Sequence, residues 1–543
     1  MNHKYFTKVN LIIIVWLPIF LFGCSKELDI VPTDQVSDAI LWTTTANGDM
    51  FLNNIYSTLQ GPFNGADTWE HFSDNAISGI AGQYSSTVFG EGNHTASNAP
   101  NIWGNYSKIR KANLFIEKIT TSDLSDNWKK IRMAEARFLR AYFYAQLWNY
   151  YGGVPIITKV LNQAEQGDEI FYARSSFEET YKFIIDELDA ISSDLALKPE
   201  SGRASRGAGL TLKGWCELFA ASPLNNPSND LQKWELAAST FKQVMDLGVY
   251  DLFPDYRALF LEENNNNSEV IFDKPYYRNN GLTGVMGPSY VGSQYRGYGF
   301  SNPTQELVDA YLMANGLPVS DPLSGYDPDN PYEGREQRFY DDIIYDGSEW
   351  LGIEMVMKQG VGSKSATDLS NLNEATNTGY YWKKMMDPKY ATVGNSQNSA
   401  HFILFRYAEV LLGYAEAQNE AEGPGQSVYD AVNEVRERVQ LPPLKAGLNQ
   451  TEMRNAILRE RRVEFALEEK RWLDLVRLKL AEHKLNGPLH AVVIKQVNGE
   501  WQYSYVPAPG GMRAFYAEKN YWFPIPQSAL DRNSKLVQNP NYD

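Results

Sequence analysis

The stretch IRMAEARFLRAYFYAQLWNYY, Ile131–Tyr151, runs straight into Gly152-Gly153-Val154-Pro155. Ala134, Phe138, Ala141 and Ala145 stand at i, i+4, i+7 and i+11, the spacing of one helix face. Three of these four are alanines, which predicts a neighbouring helix packed closely along the stripe. Leu139, Tyr142, Phe143, Tyr144, Leu147 and Trp148 cover the other faces. A helix apolar on every side belongs in an interior. Two glycines and a proline supply its C-terminal stop. The segment is therefore predicted to be the centre of a helical stack.

Outward from it, helical periodicity predicts helices at Ala39–Leu59, Trp103–Thr120, Asp126–Tyr151, Ser176–Leu195, Ala208–Ala221 and Leu231–Leu247. Paired helices with short links suggest a tetratricopeptide-like solenoid, in which each pair needs its neighbours to bury its faces. The repeat consensus itself is not present. A second group is predicted at Phe405–Glu422, Val428–Val439, Thr451–Glu468 and Arg471–Ala481. Between the groups, Glu269–Lys274 reads as a strand, Pro303-Thr304 opens a helix, and FYDDIIYDGSEWLG (339–352) reads as a strand-like run ending in an Asp-Gly turn. The tail from Gly487 is predicted as loop and strand. The fold class is mostly α: a tetratricopeptide-like helical stack with long irregular loops and a few short strands. The organisation expected is a leader at 1–23, a tether at 24–38, a helical region at 39–260 with a long loop at 61–101, a loop-rich insertion at 261–400, helices at 401–481 and a closing segment at 482–543. Residues 39–543 form one unit.

A chain of 543 residues exceeds what one simple core serves. Hydrophobic content of 43% against 21% charged suits a folded protein. The 33 tyrosines and 13 tryptophans are more amphipathic aromatic surface than a core requires, and stacking on a ligand is one use for it. Lys4 and Lys8 precede twelve mostly apolar residues, Leu11 to Phe22, too short a run to span a bilayer and suited to a secretion signal. It ends in Leu21-Phe22-Gly23-Cys24, which resembles a bacterial lipobox with a bulky Phe22; an ordinary cleaved signal with an incidental cysteine is the alternative. Ser25-Lys26-Glu27-Leu28-Asp29 resembles the acidic tag that exports such lipoproteins to the cell surface. With Cys24 lipidated, Cys216 is alone and no internal disulfide is expected. Loss of Lys4 and Lys8 with the leader takes the formal charge from −16 to about −18. Such a surface repels nucleic acid, and the membrane is met through the lipid anchor only.

Four C-terminal stretches carry a specific resemblance. They are LFRYAEVLLGYAEAQNE (404–420), YDAVNEVRERVQLPPL (429–444), ILRERRVEFALEEKRWLDLVR (457–477) and WFPIPQSALDRNSKLVQNPNY (522–542). Glu135–Pro155, PTQELVDAY and FYDDIIYDGSEW add to them. In this order they resemble the SusD/RagB family of outer-membrane nutrient-binding lipoproteins. By themselves these residues read as structural: Arg459, Glu460, Arg461, Arg462, Glu464, Glu468, Arg471 and Asp474, three or four apart, form charge ladders that lock helices, and Arg406 with Glu409 reads likewise.

The resemblance implies a SusD-like α/α superhelix, a lipid-anchored position on the outside of the outer membrane, and capture of an oligo- or polysaccharide for delivery to a SusC-like TonB-dependent transporter. Helix pairs near 103–151 and 176–247 would dock on that transporter. Sugar rings need flat aromatic platforms rimmed by polar groups. Three irregular places supply them: Trp69, Asp74, Asn75, Gln83 and Tyr84; Tyr290, Gln294, Tyr295, Arg296 and Tyr298; and Trp350. Trp69 and Phe72 are expected to anchor their loop to the core, and Asp74-Asn75 to cap a turn if they do not meet ligand. No fixed motif transfers any of these residues.

Catalysis has less support. The six histidines are dispersed and no His-Glu-x-x-His occurs. Gly360-Val361-Gly362-Ser363-Lys364 is not a complete phosphate loop. Asp327 and Asp329 do not meet EF-hand spacing, so no cofactor is expected beyond an incidental Ca2+. A carboxylate pair suited to glycoside hydrolysis is not excluded by spacing, which keeps a helical glycosidase as the enzyme alternative. A peptide-binding helical scaffold is the third class.

Overall fold

The structure is a computed structural model that describes residues 38–542 except 62–66, 81, 279, 368–375 and 393–396. The leader, Cys24 and most of the tether lie outside the described residues. The main helices are α1 (Thr45–Tyr56), α2 (Asn105–Thr120), α3 (Asp126–Tyr151), α4 (Phe177–Ile191), α5 (Arg206–Ala221), α6 (Leu231–Asp246), α7 (Tyr407–Glu422), α8 (Gln426–Arg438), α9 (Gln450–Glu464) and α10 (Arg471–Arg477). The mostly helical stack is as predicted.

Helix α3 is its centre, buried almost continuously from Ala134 to Tyr151 and flanked by α2 and α4. The stop is a backbone event: Gly152 adopts φ +73°, and its amide donates to the Trp148 carbonyl at 3.0 Å. The alanine stripe meets something other than a helix at Phe138. There Phe272 packs edge-on with ring centres 5.1 Å apart, and one turn on Tyr142 meets Phe405 at 6.2 Å. Both partners belong to an antiparallel strand pair, Val270–Lys274 with Phe402–Arg406. Aromatic side chains from this ladder thus pack against the rings of α3 itself.

Beyond α3, the stack continues through α5 and α6, and α6 lies directly against α7. The chain between α6 and α7 therefore leaves the stack and returns to it. Phe241 of α6 keys this junction: a Cβ on Gly413 of α7 would stand 2.7 Å from its ring, and one on Gly214 of α5 would stand 3.0 Å away. Neither position accepts a larger residue without movement of the ring.

Several boundaries differ from the sequence reading. The predicted helix at Ala39–Leu59 is two, Asp38–Leu41 and α1, because Thr44 caps the Asn47 amide. The helix expected from Phe405 starts at Tyr407, since Arg406 is still paired in the strand. The Thr451–Glu468 prediction ends at Glu464, followed by Leu467 at φ +62° and Glu469 at φ +63°. Residues read as a strand from Phe339 begin instead in the short helix Gln337–Asp342. The tail forms one long hairpin, Gly487–Val497 with Glu500–Arg513, turned by Asn498-Gly499 with both residues at positive φ.

Apart from the Asp474–Arg477 pair at i, i+3, the charged residues of the C-terminal motifs do not form ladders along their own helices. They reach across the fold. Arg406 Nη1 lies 2.6 Å from both Glu269 and Glu464, and its Nε lies 2.7 Å from Glu468. Arg438 bridges the same Glu269 at 2.8 Å and also pairs Glu464. Arg338 joins Glu336, Glu460 and Glu464 at 2.7, 2.8 and 3.0 Å. Arg436 pairs Glu460, and Lys384 reaches Glu468 at 2.8 Å. Five cations thus face five carboxylates, and all ten side chains are almost wholly buried. Glu409 takes Lys470 at 3.0 Å as partner instead of Arg406. Burial alone would raise the Glu464 carboxyl, but Arg438, Arg406 and Arg338 overcome it and hold it well below the usual range.

Removing one member of such a network leaves an unpaired buried charge. Arg406→Ala is expected to destabilise the fold by about 3–5 kcal/mol, read as a lowered midpoint in chemical unfolding. Asp474 supplies a pH signature. Burial opposes its ionisation, yet Arg461 and Arg477 bring its pKa down to about 2. A folded value below the unfolded one, about 3.9, contributes stability above that pH and loses it as pH falls toward 2. Unfolding free energy is expected to drop between about pH 4 and pH 2, and to drop less steeply in Asp474→Asn.

Candidate ligand face

Of the three places expected to carry ligand contacts, the second stands open to solvent. Tyr290–Val291 and Gln294–Tyr295 form a tight hairpin turned by Gly292 at φ +59°. Tyr290 and Tyr295 are direct cross-strand partners, with ring centres 5.4 Å apart and planes at 57°. Tyr298 meets Tyr295 edge-on at 6.1 Å. Tyr295 is 47% exposed and Tyr298 48%. The backbone beneath them is pinned: the Arg296, Tyr298 and Phe300 amides donate to Ser289, Gly284 and Val285 carbonyls at 2.8, 3.1 and 3.1 Å. Gly297 allows this close approach, since a Cβ there would stand 2.5 Å from the Gly287 carbonyl oxygen. The tyrosines therefore project from a fixed base.

Arg296 is half-buried, and its guanidinium contacts the Gln294 side chain. Lys364 lies over the Tyr290 ring at 5.6 Å, and Ser365 Oγ donates to the Tyr290 carbonyl at 2.7 Å. Burial, then Tyr298 and Tyr290, raises the Tyr295 phenol, which keeps it a neutral hydrogen-bond donor at ordinary pH. A second hairpin, Glu349–Trp350 with Ile353–Glu354, lies alongside. Its Ile353, 41% exposed, faces Gly292: a Cβ on that glycine would be 3.7 Å from Ile353 Cδ1. The product is a surface of tyrosine rings and aliphatic carbon edged by cationic donors. Such a surface can hold a ring that presents C–H groups between hydroxyls.

The other expected residues are placed differently. Trp350 is only 3% exposed and belongs to the core, while its cross-strand partner Ile353 stays 41% exposed. Asp74 is buried between Arg471, Nε to Oδ1 2.8 Å, and Arg462 at 3.1 Å. Despite burial, Arg462 and Arg471 hold its carboxyl far below the ordinary range. Asn75, fully buried, donates to Glu70 at 2.7 Å and accepts from Arg462 Nε at 2.8 Å. These two residues neither cap a simple turn nor reach solvent; they seat the first loop on arginines almost 400 positions away. Tyr84 is half-buried, with its ring edge-on to Phe72 at 6.4 Å and its hydroxyl enclosed. Gln83 remains partly exposed, and its carbonyl accepts from the Ser86 and Thr87 amides. Trp69 and Phe72 anchor the loop in the core as expected. Asp327 caps its own turn through the Asp329 amide at 3.0 Å and Asn330 Nδ2 at 2.8 Å. No group of three or more His, Cys, Asp or Glu side chains able to hold a metal occurs among the described residues.

Lys364, Ser365 and Ile353 were not legible as site residues. Lys364 closes an incomplete phosphate-loop pattern, Ser365 follows it unmarked, and Ile353 looks like any core residue; only their contacts with Tyr290 and Gly292 bring them to the face.

Among the described residues, no helix is long and apolar enough to cross a membrane. The sequence profile described as "SusD family" matches residues 268–542, and one described as "Starch-binding associating with outer membrane" matches residues 34–211. A SusD-like protein of Formosa agariphila is 27% identical over 565 residues, covering 98% of this chain and 99% of its own. The crystal structure of a SusD-like protein from Bacteroides fragilis superposes with a TM-score of 0.80 at 30% identity, covering 93% of this chain and 99% of the other. A second B. fragilis structure, titled a SusD-like carbohydrate binding protein, gives 0.78 at 28% identity, over 92% and 100% of the two chains. The chain belongs to the SusD family.

Proposed function

We propose that this protein captures oligo- or polysaccharide at the surface of the outer membrane and passes it, unaltered, to a SusC-like TonB-dependent transporter. One observation carries the reading: Tyr290, Tyr295 and Tyr298 converge on an open face from a backbone that hydrogen bonds hold in place. Family membership and the carbohydrate-binding description of a B. fragilis relative support it. The role needs no chemical step. A lipid anchor at Cys24 would keep the protein beside the transporter, and tethering raises local ligand concentration so that weak binding suffices. The helical side around 103–151 and 176–247 is assigned to transporter docking.

Retardation of the purified protein in native gels containing neutral polysaccharides tests capture. Tyr295→Ala/Tyr298→Ala is expected to weaken it by about tenfold or more, equivalent to about 1.4 kcal/mol, with the melting temperature unchanged because both rings are exposed. Undiminished retardation in this variant removes the patch, and sugar release from any polymer would instead favour a glycosidase. The anchor is tested separately. Cells fed a labelled fatty acid are expected to label the wild type and not Cys24→Ala, which should leave the membrane fraction.

A further inference from the structure

A cleft of about 400 Å³ lies apart from the tyrosine hairpin, between the 330–347 segment and the long C-terminal hairpin. Tyr332, Tyr340, Tyr345 and Tyr503 line it together with Asn330 and Asp346. Its size falls in the range of small-ligand clefts, roughly 300–1,000 Å³. Tyr345 lies on Phe339 with ring centres 4.9 Å apart and beside Tyr332 at 4.7 Å, so its free surface faces the cleft. Tyr503 meets Tyr332 edge-on at 5.7 Å. The Tyr340 hydroxyl is used internally, donating to the Tyr332 carbonyl at 2.8 Å. The hydroxyls of Tyr345 and Tyr503 meet no protein partner among the described residues. Burial, then Tyr340, pushes the Tyr345 phenol up to about 12, so it stays a donor at neutral pH. Two half-buried rings with unused hydroxyls leave both apolar faces and hydrogen-bonding groups unsatisfied in one concavity.

The charge around the cleft is one-sided. Of the two carboxylates that line it, Glu333 at the lip is exposed and has no ion-pair partner among the described residues, and Asp346 is buried. Arg335 does not offset them, because its guanidinium is buried against the carbonyls of Pro331, Val308 and Tyr311. Lys358 lies 3.3 Å from Asp346 and is matched by it. An anionic ligand would lose solvation and meet Glu333, while Lys383, on the Tyr340 carbonyl at 2.8 Å, is matched by Asp341, Asp342 and Glu349 as Lys358 is by Asp346. The turn that gives Gly347 to the cleft belongs to the hairpin that sets Ile353 against Gly292, and its Gly347 amide donates to Met355 at 2.8 Å. Cleft and tyrosine patch are thus joined by one short rigid element.

We infer that this cleft is a second carbohydrate-binding site, which takes uncharged sugar residues and rejects uronates and sulfated sugars. The inference rests on the capture function proposed above. Tyr345 and Tyr503 supply the ring faces and hydroxyl donors, and Glu333 supplies an acceptor and the charge selection.

The test is native-gel retardation of the purified protein by neutral polymers (starch, laminarin, galactomannan, arabinoxylan) and by anionic ones (alginate, polygalacturonate, carrageenan). Wild type is expected to be retarded by at least one neutral polymer, and any retardation by the anionic set, through Arg296 and Lys364 at the hairpin, is expected to be unchanged in Tyr345→Ala/Tyr503→Ala. Tyr345→Ala/Tyr503→Ala should weaken that retardation at least threefold while the hairpin tyrosines are intact. Tyr345→Phe/Tyr503→Phe, which keeps the rings and their packing, should weaken it less but measurably, and Glu333→Lys, at an exposed unpaired position, should admit an anionic polymer. Thermal melting of each variant separates lost binding from lost fold. Retardation lost in Tyr295→Ala/Tyr298→Ala but unchanged in both Tyr345/Tyr503 variants overturns the second site and leaves the capture function standing. No retardation by any neutral polymer overturns both. Retardation by an anionic polymer that is lost in Tyr345→Ala/Tyr503→Ala overturns the charge selection.

Discussion

The fold depends on the exchange of charge around Arg406. At the end of its strand this side chain is surrounded by Glu269, Glu464 and Glu468, and through Glu464 it is tied to Arg438 and Arg338. These residues come from the strand pair, from helices α8 and α9, and from the segment between α6 and α7. In a low-dielectric interior none of them can be left without its partners, since an unpaired buried ion costs several kcal/mol. The network therefore does more than add stability: it specifies which segments must meet. A helical stack alone would leave the excursion between α6 and α7 free to settle in many ways.

That specification reaches the candidate ligand face. Glu336 and Arg338 fix the start of the short helix at 337–342, and the chain continues from there into the cleft and the Glu349–Glu354 hairpin. On the other side, Arg462 and Arg471 seat the first loop through Asp74 and Asn75. That loop carries the strand Ala76–Ser78, which pairs with Ser301–Pro303 just after the tyrosine hairpin. Both ring-bearing surfaces are thus held by buried ion pairs through one intervening element.

The two aromatic surfaces differ in charge. Arg296 and Lys364 border the tyrosine hairpin, whereas Glu333 and the Asp346–Lys358 pair border the cleft. Neither offers a cluster of metal-ligand side chains among the described residues. Both are built from tyrosine, which keeps a hydroxyl at the surface when its ring is half-covered.

Much of the architecture was legible before folding was considered. Helix α3 matches its predicted limits, because an all-round apolar run with two glycines after it has few other solutions. The tyrosine hairpin was legible as a candidate surface too, since rings among glycines have no periodic core to enter. Local pattern could not decide the partners of charged residues. Asp74, Asn75 and the arginines of 459–477 look like turn caps and helix ladders, because sequence spacing reports neighbours along the chain only. Arg477 does pair Asp474 three residues away, but the other ion-pair partners of these arginines lie from 13 to almost 400 residues away, and desolvation makes those distant pairings obligatory. The same limit explains Trp350: a tryptophan after a turn has no sequence mark that tells inward from outward. The chain alone determined the helices, the family and the kind of side chain available for binding. Only tertiary structure decided which rings stayed at the surface, because exposure is set by the packing of segments far apart in sequence.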